Sequence, residues 1–90
     1  EPGYYRAGEY GIRIESLVLV EENSQQGEYK TLKFNTLTLV PIDLKLLDVN
    51  ILDEKEKKWL NDYHKKIREN LVSSLTPEVK DWLVKATQAI

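Results

Sequence analysis

Apolar positions along the chain divide it into two strand-like and two helix-like stretches. From Ile12 the pattern alternates, with Ile12 and Ile14 facing one way and Arg13 and Glu15 the other. Leu17 to Val20 is apolar on both faces, the pattern of a strand covered on both sides, so one continuous strand is predicted over Ile12–Val20. Thr31–Val40, rich in threonine and apolar residues, predicts a second strand. Glu21–Glu28 between them is polar and contains Gly27, which predicts a surface turn and makes a hairpin the simplest connection. Residues 1–11 hold Pro2, Gly3, Gly8 and Gly11 and predict a loop. Pro41 ends the second strand, because proline cannot donate to a ladder. Ile42–Leu52 is short and largely apolar, a crossing segment with room for one helical turn.

The spacing then changes to steps of three and four. Asp53 with Glu56 three residues later has the form of a capping box. The helix it opens is predicted to run to about Ser74, with Trp59, Leu60, Tyr63, Ile67, Leu71 and Leu75 as its apolar stripe. Glu54 with Lys58 and Asp62 with Lys66 stand four apart, as ion pairs worth roughly 0.2–0.5 kcal/mol each. Thr76 is the predicted N-cap of a last helix, with Pro77 in its first position. Val79, Trp82, Leu83, Ala86 and Ile90 are its predicted buried stripe. The fold class is therefore α+β, an antiparallel β-hairpin followed by two amphipathic helices. A lone two-stranded hairpin is marginal in water. The Leu17–Val20 run asks for cover on both faces, more than two helices supply, so further protein is expected to pack on it.

Ninety residues with a formal charge of -2 bound the chain to one small domain at most. That charge gives no electrostatic case for nucleic acid, which wants a basic face. The one locally basic stretch, Lys55–Arg68, is interleaved with Glu56 and Asp62 and reads as a solvated helix face. There is no cysteine, so no disulfide holds the fold, a composition that suits a reducing compartment such as the cytoplasm. No apolar run approaches the roughly 18 residues of a membrane span, so no membrane partner is expected.

Glu15 and Arg13 point to one face of the predicted first strand, and Leu17 and Leu19 continue that face. Glu15 should then be largely buried, which is costly for a carboxylate unless it is paired or bound to a metal. Arg13 is a possible partner, although neighbours two apart on a strand seldom form an ideal two-point pair. The pattern alone leaves a second reading open, in which Glu15 ends an exposed strand segment and has no role. The same two readings stand for Glu1.

Two motifs, E-P-G-Y-Y opening at Glu1 and G-I-R-I-E closing at Glu15, stand in order and intact. Together they resemble the closing segment of the pita-bread metallopeptidases, which include aminopeptidase P, prolidase and methionine aminopeptidase. The tail carries F-N-T-L-T-L-V-P-I-D, W-L-N-D-Y-H-K-K-I-R-E-N-L and W-L-V-K-A-T, and is similar to the C-terminal extension of the long aminopeptidases P. Val72-Ser73-Ser74 departs from that group, which often has a proline there, and leaves the exit of the long helix open.

The resemblance implies a piece of a pita-bread fold, with residues 1–42 as the last strands of a catalytic domain and residues 43–90 as a helical extension. It implies a dinuclear site in which Glu1 binds one divalent ion and Glu15 bridges two, with Arg13 orienting a carboxylate ligand. Tyr5 falls where the family keeps a tyrosine close to the substrate, with Tyr4 the other candidate of the pair. Mn is the expected metal, with Zn or Co as alternatives. The remaining ligands, one histidine and two aspartates, would precede Glu1, so this chain alone is expected neither to hold the ions nor to contain a catalytic residue of its own. The implied substrate is a peptide with proline second. The implied partners are the rest of a parent chain and a second copy in a homodimer, in the cytoplasm. A different class remains as the alternative, a non-catalytic interaction or dimerisation module of a pita-bread relative. His64, in mid-helix within W-L-N-D-Y-H, is expected to be a hydrogen-bonded packing residue rather than a ligand.

Overall fold

A computed structural model of the chain describes residues 2–24 and 27–90. In order it contains β1 (Gly3–Arg6), β2 (Tyr10–Arg13), β3 (Val18–Asn23), β4 (Thr31–Thr36), a 3-10 turn at Leu44–Leu46, α1 (Glu54–Leu71), a second 3-10 turn at Val72–Ser74 and α2 (Pro77–Ala86). The architecture is α+β, as the sequence predicts, and divides into two compact units, one ending at Thr38 and one beginning at Leu39.

The first unit departs from expectation by carrying two hairpins. β1 pairs antiparallel with β2, and β3 with β4. The segment expected to be a glycine-rich loop thus holds most of a hairpin: β1, its turn and the start of β2. Its glycines fall into two kinds. Gly8 sits in the turn with φ 74°, where glycine is favoured, and the Glu9 N–H closes that turn onto the Arg6 carbonyl at 3.0 Å. Gly3 opens β1 ahead of Tyr4 and Tyr5, and Gly11 lies inside β2 between Tyr10 and Ile12, residues that favour β structure.

The predicted strand Ile12–Val20 is broken. β2 ends at Arg13 and the ladder resumes at Val18. The break is a change of partner, from β1 to β4, and an alternation of side chains carries no record of which strand lies alongside. Leu17 begins the second pairing: its N–H donates to Thr38 Oγ1 at 2.8 Å and its carbonyl accepts from Leu37 N–H at 2.8 Å. β3 then runs on to Asn23, into the stretch expected to turn. Glu21 stands opposite Lys33 and pairs with it at 3.4 Å, so these charges are cross-strand partners on an exposed face. The turn that follows includes Gly27 at φ 104°, while Gln25 and Gln26 lie outside the described residues. β4 stops at Thr36 rather than Val40, and Leu39 and Val40 belong to the second unit.

In the second unit the helix signals hold. The Asp53 carboxylate accepts the N–H groups of Lys55 and Glu56, both at 2.8 Å, and Glu56 Oε2 accepts the Asp53 N–H at 2.9 Å. That reciprocal cap satisfies donors the first turn would otherwise leave unpaired. Leu60, Tyr63 and Ile67 of α1 and Leu83 of α2 form the buried centre, flanked by Leu39, Ile42, Leu44, Leu47, Leu71, Val72, Leu75 and Ile90. The predicted stripes are too wide. Trp59, Val79 and Trp82 stay exposed, and Trp59 instead stacks on Tyr63 with ring centroids 5.4 Å apart. On the surface, Glu54 meets Lys57 at 3.3 Å, and Lys58 reaches Asp62 at 2.6 Å. Pro77 opens α2 as expected, and Thr76 takes the extended N-cap backbone without a side-chain cap bond.

α1 also holds the peptide segments on either side of it. Tyr63 donates its hydroxyl to the Val40 carbonyl at 2.8 Å, and the Ile42 N–H donates to His64 Nε2 at 3.1 Å. At the other end Asn61 bonds both backbone groups of Ile90, donating to its carbonyl at 3.2 Å and accepting its N–H at 3.0 Å. Arg68 donates to the Thr87 carbonyl. W-L-N-D-Y-H is thus a backbone clamp, in which Asn61, Tyr63 and His64 each satisfy main-chain groups outside the helix.

Candidate metal-binding site

The β1–β2 register sets Gly3 opposite Arg13, Tyr4 opposite Ile12, Tyr5 opposite Gly11 and Arg6 opposite Tyr10. Side chains alternate across an antiparallel pair, so Tyr5 and Arg13 share one face with the two glycines. Tyr4, Tyr10 and Ile12 occupy the other, where the Tyr4 and Tyr10 rings meet at 6.1 Å. Of the two tyrosines weighed from the sequence, it is Tyr5 that stands on the face of Arg13.

The Tyr5 ring occupies the space above both glycines. A Cβ at Gly11 would fall 2.8 Å from Tyr5 Cδ1, and a Cβ at Gly3 would fall 2.8 Å from Tyr5 Oη. The hydroxyl therefore lies over Gly3, at the open end of the hairpin where Pro2-Gly3 enters and Ile14-Glu15 leaves.

Arg13 reaches the Glu15 carboxylate at two points, Nε to Oε2 at 3.3 Å and Nη2 to Oε1 at 3.4 Å. Both contacts are long, and both side chains are 46% exposed. The expected burial of Glu15 does not occur. It rested on a continuous strand in which Leu17 and Leu19 extended a covered face, whereas Glu15 follows the end of β2 and both leucines are themselves exposed. Each carboxylate oxygen meets one guanidinium nitrogen and keeps acceptor capacity, so the group suits a metal ligand held from behind by an arginine.

Glu1 lies outside the described residues. Among the described residues no three His, Cys, Asp or Glu side chains converge as a metal site would require. His64 is fully buried in α1. Because its Nε2 accepts a hydrogen bond, the ring is neutral with its proton on Nδ1, which has no partner among the described residues. Burial, and then the nearby Arg68 charge, push its pKa below the usual value of 6.5. A ring so placed packs and pins, as the sequence predicts.

Residues 30–90 match the family model for the C-terminal region of peptidase M24. The chain belongs to that peptidase M24 family. A probable Xaa-Pro aminopeptidase P of Coprinopsis cinerea is 41% identical over 95 residues, which cover 100% of this chain and 15% of that protein. A putative Xaa-Pro aminopeptidase of Saccharomyces cerevisiae, FRA1, is 40% identical over 92 residues, which cover 100% of this chain and 12% of that protein. Among solved structures, an X-prolyl aminopeptidase from Caenorhabditis elegans, described as a cytosolic enzyme with a di-nuclear active site, superposes with a TM-score of 0.85 at 35% identity. That match covers 99% of this chain and 15% of the nematode one, so this peptidase M24 chain spans 12–15% of the length of these relatives. The likeness extends over both units of the chain, in keeping with the closing part of a pita-bread fold expected from its motifs.

Two features of this peptidase M24 chain escaped the reading of its sequence. One is the seating of Tyr5 on Gly3 and Gly11, whose signal was Gly11 between the β-forming Tyr10 and Ile12. The other is the clamp, whose signal was polar: Asn61, His64 and Arg68 step by three and four beside the apolar stripe.

Proposed function

We propose that this chain is the closing segment of a dinuclear metal-dependent aminopeptidase that releases the N-terminal residue from peptides with proline in the second position. The observation that carries the reading is the hairpin register: with Gly3 opposite Arg13, Pro2-Gly3 of the first motif and Ile14-Glu15 of the second lie at the same end. The names of the chain's relatives as Xaa-Pro aminopeptidases support it.

In this reading Glu1 binds one divalent ion and Glu15 bridges two, with Mn as the metal and Zn or Co as alternatives. The donor chemistry fits. Glu15 offers carboxylate oxygens, and Arg13 fixes their direction without using all their lone pairs. The ions, when bound, supply Lewis acidity and a water-derived nucleophile at neutral pH. Arg13 orients Glu15, and Tyr5 stands beside the bound peptide. The other ligands come from sequence outside this chain, which by itself is inactive. Residues 1–42 act as the last strands of the catalytic domain and residues 43–90 as a helical extension that helps form a homodimer in the cytoplasm.

Glu15→Ala in the full-length protein tests the reading. Turnover of Xaa-Pro peptides should vanish and bound metal should fall, because a bridging ligand is lost from both ions. Unchanged metal content and turnover would show that Glu15 is not the bridge.

A further inference from the structure

Glycine inside a strand needs a reason, because it forfeits side-chain packing and adds backbone entropy to the unfolded state. Gly8 and Gly27 have one in their positive φ angles. Gly3 and Gly11 take ordinary strand backbone that alanine adopts equally well. What sets them apart is space. A Cβ at Gly3 would approach Tyr5 Oη to 2.8 Å, Cε2 to 2.9 Å and Cζ to 3.0 Å, and one at Gly11 would approach Cδ1 to 2.8 Å and Cε1 to 3.1 Å. The ring leans back along β1 and fills the volume both side chains would need. It cannot keep this pose with a methyl group at either position.

The two glycines belong to the two different glutamate motifs, Gly3 to E-P-G and Gly11 to G-I-R-I-E. One ring therefore bears on both strands, with its hydroxyl toward the open end between them. The outer side of the ring is free, since Tyr5 is 65% exposed. We propose that Gly3 and Gly11 are positioning residues: together they seat the Tyr5 ring across β1 and β2, and so fix where its hydroxyl stands beside the site that Glu15 serves. This rests on the proposed aminopeptidase function. It adds that the motif glycines act through Tyr5 rather than through backbone conformation.

The test is a double-mutant cycle in the full-length protein, with Gly11→Ala, Tyr5→Ala and the pair, and Gly3→Ala as a second entry to the same cycle. Gly11→Ala should lower kcat by about tenfold or more, the scale of losses among groups that orient a site, while bound metal and KM change little. In the Tyr5→Ala background the same glycine change should cost almost nothing in kcat, because the ring it displaces is gone. Full additivity of the two kcat losses, or wild-type kcat in both Gly11→Ala and Gly3→Ala, would overturn the proposal. A readout independent of activity uses this chain as it stands: the Hα protons of Gly3 and Gly11 should show upfield ring-current shifts in NMR spectra that disappear in Tyr5→Ala. Their absence in a folded chain overturns the seat itself. Ring-current shifts with no Xaa-Pro hydrolysis by the full-length wild type would instead sink the proposed function and with it the catalytic part of this proposal, leaving only the packing.

Discussion

The Ile42 backbone N–H donates to Nε2 of the fully buried His64 at 3.1 Å, so a histidine side chain serves as the acceptor for a main-chain group that no strand or helix satisfies. The arrangement works only while the ring is neutral, since a protonated imidazole presents two donors and no acceptor.

Stability of the second unit should consequently depend on pH. Burial, followed by the Arg68 charge, lowers the folded pKa of His64 below its ordinary 6.5. The unfolded chain then takes up a proton before the folded one does as pH falls. The contribution of His64 is fully present above about pH 6.5 and declines below it, toward the lowered folded pKa. Urea unfolding of the helical signal at pH 7.5 and pH 5.5 should give a smaller midpoint at the lower pH, and His64→Phe should flatten that difference. An equal slope in His64→Phe would assign the effect to other groups.

Two neighbouring substitutions should separate packing from hydrogen bonding. Tyr63→Phe keeps the stack on Trp59 but leaves the Val40 carbonyl without its donor, for an expected loss of about 0.5–1.5 kcal/mol. His64→Ala leaves the Ile42 N–H unpaired and opens a cavity as well, so its cost should be larger, at about 1–3 kcal/mol for the unpaired group alone. In the full-length protein the kcat of folded His64→Ala should match wild type. A large fall in kcat with normal stability would place His64 in the chemistry.

Arg13→Ala should behave in the opposite way. Its contacts with Glu15 are long and half-exposed, so the melting temperature should barely move, in line with about 0.5 kcal/mol or less for a surface ion pair. Activity or metal affinity of the full-length protein should fall by about 10–100-fold. A melting shift with unchanged kinetics would reduce Arg13 to a local salt bridge.

This chain alone should not hydrolyse Xaa-Pro peptides when Mn is added. Its described residues bring no three metal-ligand side chains together, and a dinuclear site needs donors from several strands. Steady hydrolysis by the pure chain, removed by Glu15→Gln, would contradict this.

The chain should also associate in solution. On one face of the β3–β4 hairpin Val18, Val20, Leu32 and Phe34 line up by register and are 45–74% exposed. Burying such a face gains roughly 25 cal/mol per Å² of apolar surface. Exposed apolar strands are also open to pairing by another chain. Sedimentation at micromolar concentration should show a dimer or larger species, and Phe34→Lys with Val20→Lys should shift it toward monomer. A monomeric wild-type chain with its own cooperative melting transition would defeat this prediction.

Local signals determined what could be read from the sequence alone. The Asp53–Glu56 capping box and the start of α2 at Pro77 depend on residues within a few positions of one another, and the structure has them where the sequence put them, while the one helical turn that Ile42–Leu52 had room for falls at Leu44–Leu46. The peptidase M24 relationship was legible for the same reason, because its motifs are contiguous strings. Features that depend on which segment lies beside which were decided by tertiary structure. The strand expected over Ile12–Val20 breaks because its partner changes from β1 to β4, and Glu15 is exposed because the break falls beside it. Gly11 makes room for a ring from across the hairpin and Gly3 for the same ring leaning back along its own strand, and Asn61 and His64 satisfy backbone groups 29 and 22 residues away. Side-chain periodicity records which residues share a face. Only the folded chain brings that face against its partner, and there the backbone groups and ring contacts find their mates.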